Sequence, residues 1–128
     1  VQVAADGFGE KPTNQNLEIQ KQALLDYLEK KKPFLNPELG LVELAQQLNM
    51  SRNQLSYVIN QGLGDNFYHF INGYRVEEVK KLIEADQKKQ YNLLTLANDA
   101  GFNSKSSFNK VFKEITGLTP SEYRNGRN

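Results

Sequence analysis

Residues 93–124 read LLTLANDAGFNSKSSFNKVFKEITGLTPSEYR. Leu93, Leu96, Ala97 and Ala100 recur at helical spacing and make one apolar face. Gly101 supplies the backbone freedom that a helix end needs, and Phe102 can plug the corner. Ser104 is a good N-cap, because its hydroxyl accepts a bond from an orphan backbone N–H. The helix that follows turns Phe108, Val111, Phe112 and Ile115 inward. It leaves Lys105, Ser106, Asn109, Lys110 and Lys113 on the other side. A helix, a tight turn, a polar and basic second helix and then a short third helix have the layout of a DNA-reading element.

Working outward from that stretch, the same pattern is found upstream. Leu41, Leu44, Ala45 and Leu48 precede Leu93, Leu96, Ala97 and Ala100 by 52 residues throughout. Asn49-Met50 takes the place of Gly101-Phe102. After the turn the offset becomes 53: Ser51 matches Ser104, Arg52 matches Lys105, Leu55 matches Phe108, and Val58-Ile59 matches Val111-Phe112. Gly64, Phe67 and Phe70 continue the register onto Gly117, Pro120 and Tyr123. One insertion in the turn explains the shift, so the chain holds two helix-turn-helix units.

The rest of the chain is organised around these two copies. Residues 1–16 lack periodicity and are expected to be a flexible lead-in. Residues 17–36 are expected to hold an N-terminal helix over about 17–32, capped by Asn16 and stopped by Pro33, with Phe34 and Leu35 anchoring the chain to a core. Its stripe of Leu17, Leu24 and Leu28 suggests a signalling or dimerisation element. Its Lys30, Lys31 and Lys32 suit a solvated helix end better than a phosphate site. The first helix-turn-helix covers 37–66, a linker helix 67–85, a polar loop 85–92, and the second helix-turn-helix 92–124. In the linker helix Phe67, Phe70, Ile71 and Tyr74 share one side, and Val76, Val79, Leu82 and Ile83 another. A helix of that kind can close two small cores, one at each end, and phase the two recognition helices. The fold class is therefore all-α: two helix-turn-helix subdomains joined by one long linker helix, plus the extra N-terminal helix.

Composition bounds the function. Hydrophobic residues make up 38% of 128, enough for small cores but not for one large one. The absence of cysteine excludes disulfides and thiolate metal sites, and His69 alone gives no basis for an imidazole site. No cofactor or metal is expected. No paired His and acid, phosphate-cradling glycine loop or metal-ligand spacing supports an enzyme. There is no apolar run of membrane-span length and no signal peptide, so a cytoplasmic domain is expected. The first residue is Val1 rather than methionine, which suggests a fragment of something longer. Net charge is +1, but residues 1–66 carry six Lys/Arg against eight Asp/Glu, and residues 67–128 carry ten against seven. The second half is the more basic one, so affinity for DNA would rest on a few placed cations and helix N-termini.

These residues resemble the DNA-binding domain of the AraC/XylS family of bacterial transcription regulators, over roughly residues 40–124. The most specific part is AxxAGFxSxSxFxxxFKxxTGxTPSxYR, which runs here from Ala97 to Arg124. Residues 66–83 look like the family's linker helix, with Arg75 at the expected place. The resemblance implies two recognition helices in successive major-groove segments on one DNA face. It also implies the C-terminal part of a longer regulator, whose full length could be membrane-tethered. The partners it implies are double-stranded DNA and an upstream sensor region of the same chain. It leaves room for RNA polymerase, and for a homodimer through that region or the 17–32 helix.

The family's base-reading positions fall here on Asn53, Ser56 and Tyr57, with Arg52 and Asn60 close by, and on Lys105, Ser106, Ser107, Asn109 and Lys110. Lysine can reach a guanine edge or a phosphate, and asparagine can bond adenine through two hydrogen bonds. The bland alternatives are a solvated polar face for these residues, core shielding for Tyr57 and capping for Ser51 and Ser104. Arg75 is open to a phosphate contact or to a pair with an acid of its own chain. Phe102, Phe108, Phe112 and Tyr123 are assigned to core, and His69 to the surface. First among these readings is sequence-specific DNA binding. The competing one is a helical protein-interaction module without DNA binding, motivated by Arg52 being the one cation of the first recognition helix.

Overall fold

A computed structural model of the protein describes residues 14–126, and all regular structure among them is helical. Helix α1 is Asn14–Lys31, followed by a 3-10 turn at Pro33–Leu35. Then come α2 (Leu41–Gln47) and α3 (Arg52–Tyr57), which runs on into a π-wound turn at Val58–Gly62. Helix α4 is Phe67–Ala85, α5 is Leu93–Asp99, α6 is Lys105–Thr116 and α7 is Pro120–Asn125. The expected lead-in falls outside the described residues except for Asn14–Asn16, which already belong to α1. Asn16 is therefore not its cap.

The chain divides into two compact units. The first holds the described residues through Pro33 together with Glu38–Phe70. Its buried side chains are Leu24, Leu28, Leu39, Leu44, Ala45, Leu55, Val58, Ile59 and Phe70. Helix α1 packs on the π-wound turn. Leu17 lies over Gly62, where a Cβ would meet Leu17 Cδ1 at 3.4 Å in ordinary contact. The Tyr27 hydroxyl donates to Gln47 Oε1 at 2.8 Å, which ties α1 to the end of α2. The leucine stripe read as a dimerisation motive is therefore internal packing: Leu24 and Leu28 are 0% exposed.

The second unit holds Phe34–Pro37 and the chain from Ile71 onward. Val76, Val79 and Ile83 of α4 close a core with Leu96, Ala97, Ala100, Phe102, Phe108 and Phe112. Three aromatic pairs run through it, Phe102–Phe108 at 5.3 Å, Phe108–Phe112 at 5.9 Å and Phe112–Tyr123 at 5.6 Å between ring centroids. Tyr123 sits at the boundary of this core, half-buried, because its hydroxyl donates to Glu84 Oε2 at 2.8 Å. The Phe34 ring is buried and stacks 5.4 Å from Tyr74. Arg75 holds that segment by its backbone: Nε donates to the Phe34 carbonyl at 2.8 Å and Nη2 to the Asn36 carbonyl at 3.0 Å. Burial lowers the guanidinium pKa from its ordinary value, and the carbonyl oxygens take the place of the phosphate or acid expected from sequence.

The sequence repeat is also a repeat of hydrogen bonds. The Met50 N–H donates to the Ala45 carbonyl at 2.9 Å, and the Phe102 N–H to the Ala97 carbonyl at 3.0 Å. One residue earlier, Asn49 to Gln46 and Gly101 to Asn98 are both 3.1 Å. Asn49 and Gly101 each take a left-handed conformation, with φ of 57° and 106°. The inserted residue is Asn103, placed after an otherwise matching turn. Caps repeat at the offset of 53: Ser51 accepts from the Gln54 N–H and Ser104 from the Ser107 N–H, then Asn66 from the His69 N–H and Thr119 from the Glu122 N–H. Phe67 and Pro120 then begin α4 and α7, so the linker helix starts as the third helix of the first copy.

Candidate nucleic-acid interface

Each unit presents one recognition helix on the far side of its turn. In the first, Ser51 forms a reciprocal cap with Gln54: its hydroxyl accepts from the Gln54 N–H, and its own N–H donates to Gln54 Oε1, both at 3.0 Å. Leu55 is buried and fixes the rotation of α3. Arg52 and Asn53 are then exposed, Ser56 and Tyr57 half-buried. Asn60 is exposed within the π-wound turn, and its amide donates to Ser56 Oγ at 3.3 Å. Asn60 and Ser56 are thus hydrogen-bonded to each other, and Tyr57 is half-buried beside them in sequence.

In the second unit the Ser104 hydroxyl accepts from the Ser107 N–H at 3.1 Å and starts α6. Phe108 and Phe112 are 2% and 0% exposed, which locks the helix on its core. Lys105, Ser106, Ser107, Asn109, Lys110 and Lys113 are all exposed. At about 100° per residue, Lys105, Ser106, Asn109, Lys110 and Lys113 share an arc of about 140°, opposite the aromatic face. Among the described residues neither Lys105 nor Lys110 forms an ion pair, so both ammonium groups are available to an anionic partner. A face of this kind offers mobile cations for phosphates, with short polar groups between them for base edges.

Sequence reasoning missed three features. The π-wound turn carries no compositional mark, because residues 51–64 and 104–117 are equal in length. The Thr119–Glu122 capping box was present as T-P-S-E and could have been found from that pattern. The Arg75 clamp on Phe34 and Asn36 joins residues about forty apart and has no local signal. His69, read as a surface residue, is exposed and bonds Asp65 Oδ1 at 2.8 Å through Nδ1. Among the described residues no group of three His, Cys, Asp or Glu is placed to hold a metal ion, and no helix is long and apolar enough to cross a membrane.

Comparison with known proteins agrees with this geometry. A family model described as a helix-turn-helix domain matches residues 44–126. An uncharacterized HTH-type transcriptional regulator of Staphylococcus aureus is 34% identical over 103 residues, which is 80% of this chain and 13% of that protein. The arabinose operon regulatory protein of Salmonella typhimurium is 29% identical over 86 residues, 67% of this chain and 30% of that protein. The chain thus spans about an eighth of the length of the Staphylococcus relative. Among solved structures, the C-terminal domain of AraT, a response regulator from Geobacillus stearothermophilus, is 27% identical with a TM-score of 0.68, covering 87% of this chain and 84% of that one.

Proposed function

We propose, since this chain belongs to the AraC-type family of helix-turn-helix domains of DNA-binding transcription regulators, that its two recognition helices read one double-stranded DNA site through two successive major-groove segments. The observation that carries this reading is the duplicated joint. Both copies turn the same corner with the same hydrogen bonds, and each then presents a polar face, with one cation in the first copy and three in the second. The second copy supplies most of the affinity through Lys105, Lys110 and the amide of Asn109. The first extends the site by one groove through Arg52, Asn53, Ser56, Tyr57 and Asn60. Ser106 and Ser107 complete the second face as short donors. One chain would cover an asymmetric site of roughly 20 base pairs, two grooves one helical turn apart.

The greater length of the relatives supports a regulator in which other segments receive a signal while these residues read DNA. A homodimer through α1 has no support from its leucine stripe, which the first unit consumes. The test is fluorescence anisotropy on duplexes selected from a random library, repeated on scrambled duplexes across a salt series. Preference for the selected duplexes is expected, with log K falling by about 0.9 per log unit of salt for each phosphate neutralised. Equal, salt-independent binding to both sets would favour the protein-interaction module instead.

A further inference from the structure

We infer that Gln61 is a further specificity-determining residue of the first recognition segment, carried onto its reading face by the π-wound turn. The inference rests on the DNA-binding reading above. Counting from Arg52 at about 100° per residue, Asn53 and Tyr57 lie near 100° and 140° on the helix. A regular helix would carry Gln61 on to about 180°, at the rim of that face. The run Val58–Gly62 is π-wound instead. Bonds that close over five residues rather than four rotate each residue less, about 80°, so Gln61 stops near 125°, between Asn53 and Tyr57.

Its environment suits the role. The Gln61 side chain is exposed and makes no hydrogen bond among the described residues, whereas one N–H of the neighbouring Asn60 amide already donates to Ser56 Oγ. A primary amide carries the donor and acceptor that match adenine N6 and N7 in the major groove. The winding is braced from behind, because Leu17 Cδ1 and Lys21 Cδ of α1 would stand 3.4 and 3.6 Å from a Cβ at Gly62. The second copy has nothing equivalent. Fifty-three residues on stands Glu114, on a regular helix that leaves it near the rim, with a carboxylate that phosphates repel.

The experiment runs binding-site selection from a random duplex library in parallel on the wild type, Asn53→Ala, Gln61→Ala and Glu114→Ala. Each is followed by anisotropy on the wild-type site with single base pairs exchanged. Gln61→Ala should lose preference at one or two adjacent positions, roughly tenfold at the base concerned, beside those lost in Asn53→Ala. Glu114→Ala should return the wild-type motif. Unfolding midpoints should be unchanged for both, since both side chains are exposed. The inference is overturned if Gln61→Ala keeps every preference, if it weakens all sequences equally as a phosphate contact would, or if Glu114→Ala alters the motif. A wild type that selects no sequence at all defeats the DNA-binding reading itself, and does so before any substitution is compared.

Discussion

In the first copy Asn49 turns the corner between the two helices, and in the second Gly101 does, with the same hydrogen bonds on either side. Behind the corners the copies part. The first is filled by aliphatic side chains, Leu44, Leu55, Val58 and Ile59, and is braced by α1 against Gly62. The second is filled by Phe102, Phe108 and Phe112, and has Ile115 packed against its own core where the first has Gly62. Caps and left-handed corners satisfy specific backbone groups and therefore persist in both. Core volume can be filled by many side-chain sets, so it diverges. The same divergence reaches the reading faces: one cation on a segment that changes to π winding, against three lysines on a regular twelve-residue helix.

The largest difference between the copies should appear at the corner. A Cβ on Gly101 would collide with the Phe34 carbonyl and stand 2.8 Å from Arg75 Nε, in a conformation that side chains rarely adopt. Gly101→Ala should therefore destabilise the protein by more than about 3 kcal/mol in urea unfolding, from backbone strain plus overlap with a fixed main-chain atom. Asn49→Gly at the matching position should change stability by less than about 1 kcal/mol. Equal effects would mean that the Phe34–Pro37 segment does not crowd the second corner.

That contrast marks what sequence could and could not reveal. Helix faces, the serine caps and the left-handed corner at Gly101 were readable because each is set by residues within one or two turns of one another. The insertion was readable from the change of offset, and the structure assigns it to Asn103. The start of α1 at Asn14 was not, since helix ends are weakly encoded when tertiary packing stabilises them. Nor was the destination of Arg75, whose carbonyl partners precede it by 41 and 39 residues. The site positions came from the helical period and the family resemblance together. The altered winding that rotates the end of the first recognition segment has no periodicity signal, because it spans only five residues.

The charge difference gives the next effect in size. Removing Lys105 and Lys110 together should weaken binding to the selected duplex far more than Arg52→Ala does. The log K against log salt slope should fall by up to about 2 for the lysine pair and by about 1 for Arg52. A larger loss from Arg52→Ala than from the lysine pair would reverse the ranking of the two faces.

Smaller again is the difference between the caps. Ser51 and Gln54 satisfy two backbone groups reciprocally, whereas Ser104 accepts from Ser107 alone. Ser51→Ala should cost about 1–2 kcal/mol and Ser104→Ala about 0.5–1, read from urea midpoints. Equal losses would show that the reciprocal box does not strengthen the bond to the Ser51 hydroxyl, and Gln54→Ala, which removes the acceptor of the Ser51 N–H, should then cost nothing.

The smallest effect separates the third helices of the two copies. Glu122 caps α7 by accepting from the Thr119 N–H at 2.9 Å, while at the matching place in the first copy His69 turns to Asp65 and the Asn66 N–H takes Asp65 Oδ1 instead. Hydrogen bonding from Thr119, aided by the charge of Lys113, lowers the Glu122 pKa from its ordinary value. A depressed carboxylate pKa means that the unfolded chain binds the proton more readily. The contribution to stability is therefore complete above the unfolded pKa and is lost as pH falls through the folded one. Acid should loosen the start of α7, seen as a lower protection factor, after correction for the intrinsic exchange rate, at Tyr123, whose N–H bonds the Thr119 carbonyl at 2.9 Å. Glu122→Gln keeps an acceptor oxygen but cannot titrate, so its exchange in that window should lack this pH-linked opening. If both proteins open alike as pH falls, the Glu122 carboxylate is not what couples this cap to pH.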